Sequence, residues 1–270
     1  MAGSVITVTN EKGGVGKTTM SVQIALELAE RKLKVLIIDN DPSGDATTVL
    51  FGSNIPPAIS HGSKPEAVSN CVKLYTEGAE FHPFHYAEFL HVIGASDQLT
   101  MFNGGELEPA YTFADNVQIL TETYDIIIID CLPSFGLLFT SAVLASGTGG
   151  LLIPLELEDL PVNAAKKVVQ RLASINKRLS PASSFKVVGV LANKVSNPLS
   201  NSAKYYLSHL ESFFGDSLLK TRINRTVQVA DAIACQQKVG AGEKKKSKVA
   251  QQIVDLASEL LKRLEALNNG

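Results

Sequence analysis

Cysteine is scarce in this sequence, and the few that occur form no recognisable frame. The chain has three cysteines, Cys71, Cys131 and Cys235, an odd number, and no two of them make a C-x-x-C pair. A disulfide framework needs paired cysteines, and a cysteine metal site needs closely spaced ones. The sequence therefore excludes both classes, and we expect three reduced, buried thiols in a cytosolic protein.

The sequence also lacks a strong net charge and a long apolar run. Its formal net charge is −2, so any contact with nucleic acid would need a local basic patch. No apolar segment reaches the roughly 20 residues that a transmembrane helix needs. A strand-like segment, SVITVT, begins at residue 4 where a signal peptide would lie. We therefore expect a cytoplasmic protein.

Strand-like and helix-like segments alternate along the chain. Strands are predicted over residues 5–9, 34–39, 124–130, 150–155 and 185–194, where β-branched or continuous apolar residues occur. Helices are predicted over 17–31, 157–176, 201–214 and 247–267. Because strands separated by helices form right-handed βαβ units, we predict an α/β fold, with a mostly parallel twisted sheet flanked by helices on both faces.

We expect residues 1–270 to form a single domain. Residues 52–115 are rich in Gly, Pro, Ser and aromatic residues, and we expect an irregular region of helices and loops there, over one edge of the nucleotide site. The C-terminal helix places its apolar residues on one stripe, and the other face carries three acidic and three basic residues. An anionic membrane would gain little from that balance, so we expect this helix to pack on the domain.

The segment NEKGGVGKTTM, residues 10–20, joins the first predicted strand to the first predicted helix. A glycine-rich turn in this position presents backbone N–H groups to phosphate oxygens, and the helix N-terminus adds a favourable partial charge. Lys17 is expected at the β- and γ-phosphates, the Thr18 hydroxyl on Mg²⁺, and Thr19 at the α-phosphate. The predicted nucleotide-binding residues of this loop are Gly13, Gly14, Val15, Gly16, Lys17, Thr18 and Thr19.

Three acidic residues follow predicted strands. Asp39 and Asp41 end the strand at 34–39 and point to the same side, and Asp130 ends the isoleucine-rich strand at 124–130. Ligand sites of open α/β sheets form at this end of the strands. We therefore expect Asp130 to hold the Mg²⁺ shell, and Asp39 and Asp41 to engage a cation or a water. The alternatives are a helix cap for Asp39 or Asp41 and a surface aspartate for Asp130.

Three motifs in this order resemble the ParA/MinD family of ATPases, which carry a deviant Walker A loop. They are KGGVGKTT at 12–19, DNDPSGDAT at 39–47 and IIDCLPS at 128–134. Weaker matches are HVIGAS at 91–96, LLIP at 151–154 and KSKVAQQ at 246–252, so the resemblance spans nearly the whole chain. The sequence departs from the family at Ser43, where Gln is usual, and at Leu132, where Pro is usual.

The resemblance implies a P-loop NTPase that hydrolyses ATP with Mg²⁺. In the family a second loop lysine, here Lys12, crosses a dimer interface to the phosphates held by the other subunit, and a cation supplied in trans acts like an arginine finger. Glu11 is then acceptable if its side chain points away from the phosphates. The implied catalytic residues are Lys12, Lys17, Asp41 and Asp130, the implied metal residues are Thr18, Asp41 and Asp130, and the implied adenine contacts are Asn193, Ile223 and Arg225.

Several downstream roles remain open. A ParA-type role implies an ATP-bound homodimer, non-specific DNA binding, nucleoid association, and a ParB-like centromere-binding adaptor that stimulates slow hydrolysis. Its DNA contacts would be Arg222, Arg225, Lys244, Lys245 and Lys246, which are clustered basic residues. Alternatives are a MinD-like membrane switch, which the charge balance of the last helix does not favour, and an ATPase that positions a protein cargo. An iron–sulfur relative would need paired cluster cysteines, which Cys131 lacks.

Overall fold

The computed structural model describes residues 3–59, 68–102, 106–178, 185–241 and 247–268. Its strands are β1 (Ser4–Val8), β2 (Val35–Asn40), β3 (Phe84–Ala87), β4 (Leu90–Ile93), β5 (Ile126–Cys131), β6 (Gly150–Leu155) and β7 (Val187–Ala192). Its α-helices are α1 (Lys17–Glu30), α2 (Asp45–Phe51), α3 (Glu108–Leu120), α4 (Leu137–Ala145), α5 (Asp159–Arg178), α6 (Asn201–Phe214), α7 (Val227–Ala234) and α8 (Lys248–Asn268). Short 3₁₀ helices include Cys71–Tyr75 and Asp97–Phe102.

The strands of the described residues form one sheet in the order β3-β4-β2-β5-β1-β6-β7. Every neighbouring pair is parallel except β3 and β4, which are antiparallel. The predicted α/β class with a mostly parallel sheet is therefore confirmed.

The isoleucine run of β5 explains why helices cover both faces of the sheet. Ile126 and Ile128 pack into one apolar cluster, which includes the α1 and α8 side chains, whereas Ile127 and Ile129 pack into another with α3 and α4. Successive side chains of a strand point to opposite faces, so four consecutive isoleucines require apolar partners on both. Burying each contributes about 1.5–3 kcal/mol.

The apolar stripe of α8 lies in the cluster on the α1 face. Val249, Ile253, Leu256, Leu260 and Leu264 are buried there, and Leu267 is partly buried. Arg31 at the end of α1 adds polar contacts, because its guanidinium donates to the Ser258 hydroxyl at 2.9 Å and to the Val254 carbonyl at 2.6 Å. No helix in the described part of the chain is both long enough and apolar enough to cross a membrane.

Two sequence expectations need correction. The region 52–115 contains the β3–β4 hairpin, which extends the sheet beyond β2 and was not predicted. Its strands are short and mix histidine and tyrosine with apolar residues, so no clean alternation marks them. The thiols of Cys71 and Cys131 are free and buried as expected, but the free thiol of Cys235, at the end of α7, is exposed.

Candidate active site

The phosphate loop connects the end of β1 to the start of α1 at Lys17. Gly14 and Gly16 have φ angles of 78° and 92°, a left-handed conformation that favours glycine. A Cβ on Gly16 would also lie 2.3 Å from Nδ2 of Asn193. Position 16 therefore requires glycine for two reasons: its φ angle is left-handed, and a side chain there would clash with Asn193 just after β7.

Lys17 lies buried at the first position of α1, with its Nζ donating to the Lys12 carbonyl at 3.3 Å. Burial lowers the pKa of Lys17, and the negative charges of Asp130 and Asp41 oppose that shift. A buried ammonium with so few acceptors is stabilised by any anion placed beside it. The environment of Lys17 therefore suits a phosphate group.

Asp130 is the penultimate residue of β5 and lies beside α1. Its two carboxylate oxygens accept hydrogen bonds from the Thr18 hydroxyl at 2.7 Å and the Ser21 hydroxyl at 2.8 Å. Burial raises the pKa of Asp130, although these two hydrogen bonds and Lys17 oppose the shift. Ser21 was not predicted from the sequence, because a serine inside a helix carries no motif of its own.

Asp39 is paired in register with Asp130 across β2 and β5. Its carboxylate accepts from the backbone N–H and the hydroxyl of Thr47, both at 2.7 Å, so it holds the first turn of α2. Burial, and then the nearby charge of Asp130, raise the pKa of Asp39. These contacts of Asp39 are those of the helix-cap alternative, and its engagement of a cation or a water stays a prediction.

Asp41 lies just beyond β2 and is only partly buried. One of its carboxylate oxygens accepts from the Ser43 backbone N–H at 2.9 Å, and its charge reaches Lys17. The residue between the two acids, Asn40, donates to the Leu138 carbonyl of α4 at 3.0 Å and accepts from the Tyr75 hydroxyl at 2.8 Å. Asn40 thus fixes the end of β2 against α4 and leaves the Asp41 carboxylate accessible.

These oxygen donors fit a magnesium ion. The Thr18 hydroxyl and the Asp130 carboxylate lie together, and the neighbouring buried carboxylate of Asp39 makes a positive charge favourable here. Within the described residues, no group of three or more His, Cys, Asp or Glu side chains forms a metal site by itself. That agrees with Mg²⁺, which is usually held by one or two protein ligands, phosphates and water.

Glu11 and Lys12, the two charged residues at the start of the phosphate loop, differ in their contacts. The Glu11 carboxylate lies 3.0 Å from Nζ of Lys167 on α5. Lys12 is exposed, its backbone N–H donates to the Asn10 side chain at 3.0 Å, and its ammonium contacts no acceptor among the described residues. Glu11 is therefore engaged by α5, while the Lys12 side chain is available to a group outside its own chain.

The predicted adenine residues line one cavity of about 310 Å³ beside the phosphate loop, which we call the base cavity after that prediction. Asn193 and Ile223 are buried, and Arg225 pairs with Glu156 at 2.7 Å. Nδ2 of Asn193 donates to the Val15 carbonyl at 2.8 Å, which fixes the orientation of the amide. The other wall comes from α7, through Val229, Ala230 and Ile233, which the sequence did not predict.

Lys194 is a further residue of this site that sequence reasoning missed. Its Nζ donates to the Gly14 carbonyl of the phosphate loop and to the Glu156 carboxylate, the latter at 2.9 Å. Glu156 therefore bridges Lys194 and Arg225 at the rim of the base cavity. The only sequence clue was the position of Lys194 directly after Asn193, at the end of a strand.

The predicted DNA contacts fall into different places. Arg222 lies in a second concavity of about 590 Å³, together with Lys220 and Lys248, and approaches Glu211 at 3.8 Å. Arg225 lies instead at the base cavity. Lys244, Lys245 and Lys246 lie outside the described residues.

A parallel sheet with a glycine-rich loop between β1 and α1, and a buried aspartate at the end of the adjacent strand, defines a P-loop nucleoside triphosphatase. Comparisons with known proteins narrow this class. The family profile described as an AAA domain matches residues 3–185. The chain is 31% identical over 240 residues to the sporulation initiation inhibitor protein Soj of Bacillus subtilis (strain 168), covering 85% of this chain and 87% of Soj.

Solved structures share the fold. An ATP complex of an aspartate-to-alanine variant of McdA from Cyanothece superposes with a TM-score of 0.79 at 19% identity, covering 97% of each chain. A plasmid partition protein of Borrelia burgdorferi B31 bound to AMPPNP gives a TM-score of 0.76 at 18% identity, covering 98% of this chain and 99% of that one. The chain belongs to the ParA/MinD family of P-loop ATPases and is most like its ParA-type partition proteins.

Proposed function

We propose that this protein is a ParA-type ATPase that forms an ATP-dependent sandwich dimer, binds DNA without sequence preference and drives plasmid or chromosome partition. The observation that carries the proposal is the contrast between its two loop lysines. Lys17 is buried within the loop of its own chain, whereas Lys12 is exposed and contacts no acceptor among the described residues. A cation held free at the edge of a phosphate site suits a role across a dimer interface.

The reaction is hydrolysis of ATP to ADP and phosphate, in which the protein positions groups and stabilises charge. Lys17 neutralises the β- and γ-phosphate oxygens, and the Asp41 carboxylate orients the attacking water. Thr18 and Asp130 would hold Mg²⁺, which when bound neutralises charge on the phosphate oxygens. The hydrogen bonds from Thr18 and Ser21 fix the Asp130 carboxylate in place.

The orientation of the Asn193 amide favours adenine over guanine. One N–H of its Nδ2 donates to the Val15 carbonyl, which fixes the amide and leaves the second N–H and the oxygen for the base. That oxygen accepts a hydrogen bond from the 6-amino group of adenine, whereas the O6 of guanine at the same position is itself an acceptor. Ile223 supplies an apolar surface for the base, and Arg225 lies at the rim.

Nucleotide state would govern dimerisation through Lys12. With ATP bound, each Lys12 ammonium faces the terminal phosphate held by the partner, and hydrolysis removes that contact. Hydrolysis is proposed to be slow until DNA and a ParB-like adaptor stimulate it, so that the enzyme acts as a timed switch. The partner's Lys12 then stabilises the charge that develops as the γ-phosphate departs.

DNA binding would use Lys220, Arg222 and Lys248, which line the second concavity with one acidic residue, Asp255. Lys244, Lys245 and Lys246 would add to them. These groups contact phosphates and carry no base-specific pattern, which predicts binding to any duplex and association with the nucleoid. The dimer would double the charge presented to the duplex and so make DNA binding depend on ATP.

The experiment that tests the proposal is duplex binding with ATP, ADP and no nucleotide at two salt concentrations. We expect binding only with ATP, falling steeply between 50 and about 200 mM salt as phosphate contacts release counterions. Combined neutralisation of Arg222 and residues 244–246 should abolish it. Absence of binding under all conditions, with the ATP-dependent dimer intact, would remove the DNA role and favour a protein cargo. Pelleting with anionic liposomes instead would favour the membrane alternative.

A further inference from the structure

A narrow groove of about 90 Å³ lies between α3, α4 and α5, and it shares no lining residue with the base cavity. Its apolar walls are Leu107 and Tyr111 at the start of α3, Leu144 on α4 and Ile175 on α5. Leu107 is 51% exposed and Tyr111 is 42% exposed. Ile119, near the end of α3, is also 61% exposed, but the exposed Asp115 lies between it and Tyr111 on the helix. The apolar surface of this site is therefore the groove and its rim at Leu107 and Tyr111, and exposed apolar surface of this kind marks binding sites.

Two arginines line the same groove. Arg171 and Arg178 are seven residues apart on α5, so they lie on one face of the helix, two turns from each other. No acidic side chain lines the groove, and neither guanidinium has a hydrogen bond or an ion pair with a described residue. Nε of Arg171 is shielded from solvent and has no acceptor in the part of the chain that the structure describes. Leaving a buried donor unpaired costs about 1–3 kcal/mol.

The other arginines of the chain show that this arrangement is unusual here. Each of the remaining four pairs with a glutamate of the described residues; they are Arg31, Arg222, Arg225 and Arg263. Arg171 and Arg178, which pair with no carboxylate among the described residues, are therefore the two arginines that line the groove. A ligand that fits this groove would therefore carry both a negative charge and an apolar group.

We propose that this groove binds a segment of a partner protein that presents a large apolar side chain next to a carboxylate. The carboxylate pairs with Arg171, which can offer two parallel N–H groups, and Arg178 provides a second positive charge. The apolar side chain covers the groove walls, and neighbouring residues of the segment pack on the exposed side chains of Leu107 and Tyr111.

The test uses the full chain with its Leu and Ile methyl groups labelled for NMR. Two synthetic probes are acetyl-Ala-Leu-Glu-Ala-Leu-Phe-amide and its twin with Gln in place of Glu. We expect the Glu peptide to shift the methyl resonances of Leu107, Leu144 and Ile175, and to bind at least about tenfold more tightly than the Gln twin, as loss of one charge-assisted pair predicts.

Two variants then test whether Arg171 is the residue that recognises the carboxylate. Arg171→Met keeps most of the side-chain stem and should weaken the Glu peptide about tenfold without altering the Gln twin. The matched control is Lys177→Met, which removes one positive charge from the same helix outside the groove and should leave both affinities unchanged. Melting temperature and ATP turnover of both variants should equal those of the wild type, since neither residue lies in the nucleotide site.

Three results would overturn the proposal. The first is equal affinity for the two peptides, or an unchanged affinity in Arg171→Met, which would show that no carboxylate is recognised. The second is binding of a small probe such as 4-phenylbutyrate with no binding of either peptide, which would assign the groove to small carboxylates. The third is concentration-dependent self-association that Leu107→Asp abolishes, because it would mean that the face is covered by a second copy of this chain.

Discussion

Replacing Lys12 with glutamine should separate folding from dimerisation. The Lys12 side chain is exposed and has no hydrogen bond or ion pair with a described residue, so its removal should change the free energy of unfolding by no more than about 0.5 kcal/mol. In a symmetric dimer each substitution removes one contact per protomer. A charge-assisted contact is worth about 1.5–3 kcal/mol, so the dimer should lose about 3–6 kcal/mol, or roughly 10²–10⁴ in its dissociation constant.

Sedimentation velocity with ATP over a range of protein concentrations measures this loss. The control is Lys34→Gln, which removes an exposed positive charge at the beginning of β2, at the other end of the strand from Asp39 and the phosphate site. Wild type and Lys34→Gln should dimerise alike, while Lys12→Gln should remain monomeric with unchanged ATP binding. If Lys12→Gln dimerises as tightly as the control, a cation acting across the interface is refuted.

Three further predictions concern other parts of the chain. Asp41→Ala should bind ATP and dimerise but turn over ATP at least about 100-fold more slowly in a phosphate-release assay, and wild-type turnover would make Asp41 structural. Gly16→Ala should abolish ATP binding by calorimetry, because its Cβ would lie 2.3 Å from the Asn193 amide, and normal affinity would contradict that steric argument. Burial opposes ionisation of Glu259, but hydrogen bonds from the backbone N–H groups of residues 220–221 outweigh it and lower its pKa. Its ionised form therefore stabilises the fold above its unfolded-state pKa, and that stability is lost as the pH falls through the lower folded-state pKa. Glu259→Gln should cost about 1–2 kcal/mol in urea unfolding at pH 7, and the difference should vanish in acid. A difference that is constant with pH would refute this.

The elements that are most apolar or most constrained could be predicted from the sequence. The glycine-rich loop was expected between a strand and a helix, and the structure has it between β1 and α1. The β6 and α6 boundaries were predicted to the residue. These succeed because local sequence dictates them: a strand buried on both faces needs a continuous apolar run, and a close backbone approach needs glycine.

Contacts between residues distant in sequence could not be predicted in the same way. Glu156 meets Lys194 and Arg225 because β6 lies beside β7 and because residue 195 forms a bridge with residue 224. No local sequence pattern predicts these ion pairs. Arg225 was therefore assigned to a basic patch, and its pairing with Glu156 was not predicted. The hydrogen bond of Ser21 to Asp130 was missed for the same reason, since it joins residues 109 positions apart.

Mixing two inactive variants tests most directly whether Lys12 acts in trans. Lys12→Gln has an intact Asp41 but donates no cation, and Asp41→Ala donates Lys12 but cannot orient the water. If Lys12 serves the partner's nucleotide, a mixed dimer contains one complete site. Random pairing would recover about a quarter of the wild-type DNA-stimulated turnover, and because Lys12→Gln weakens pairing, an equimolar mixture should recover less than that but clearly more than either variant alone. If Lys12 serves its own nucleotide, neither site of the mixed dimer is complete. A mixture no more active than its separate components would contradict the account.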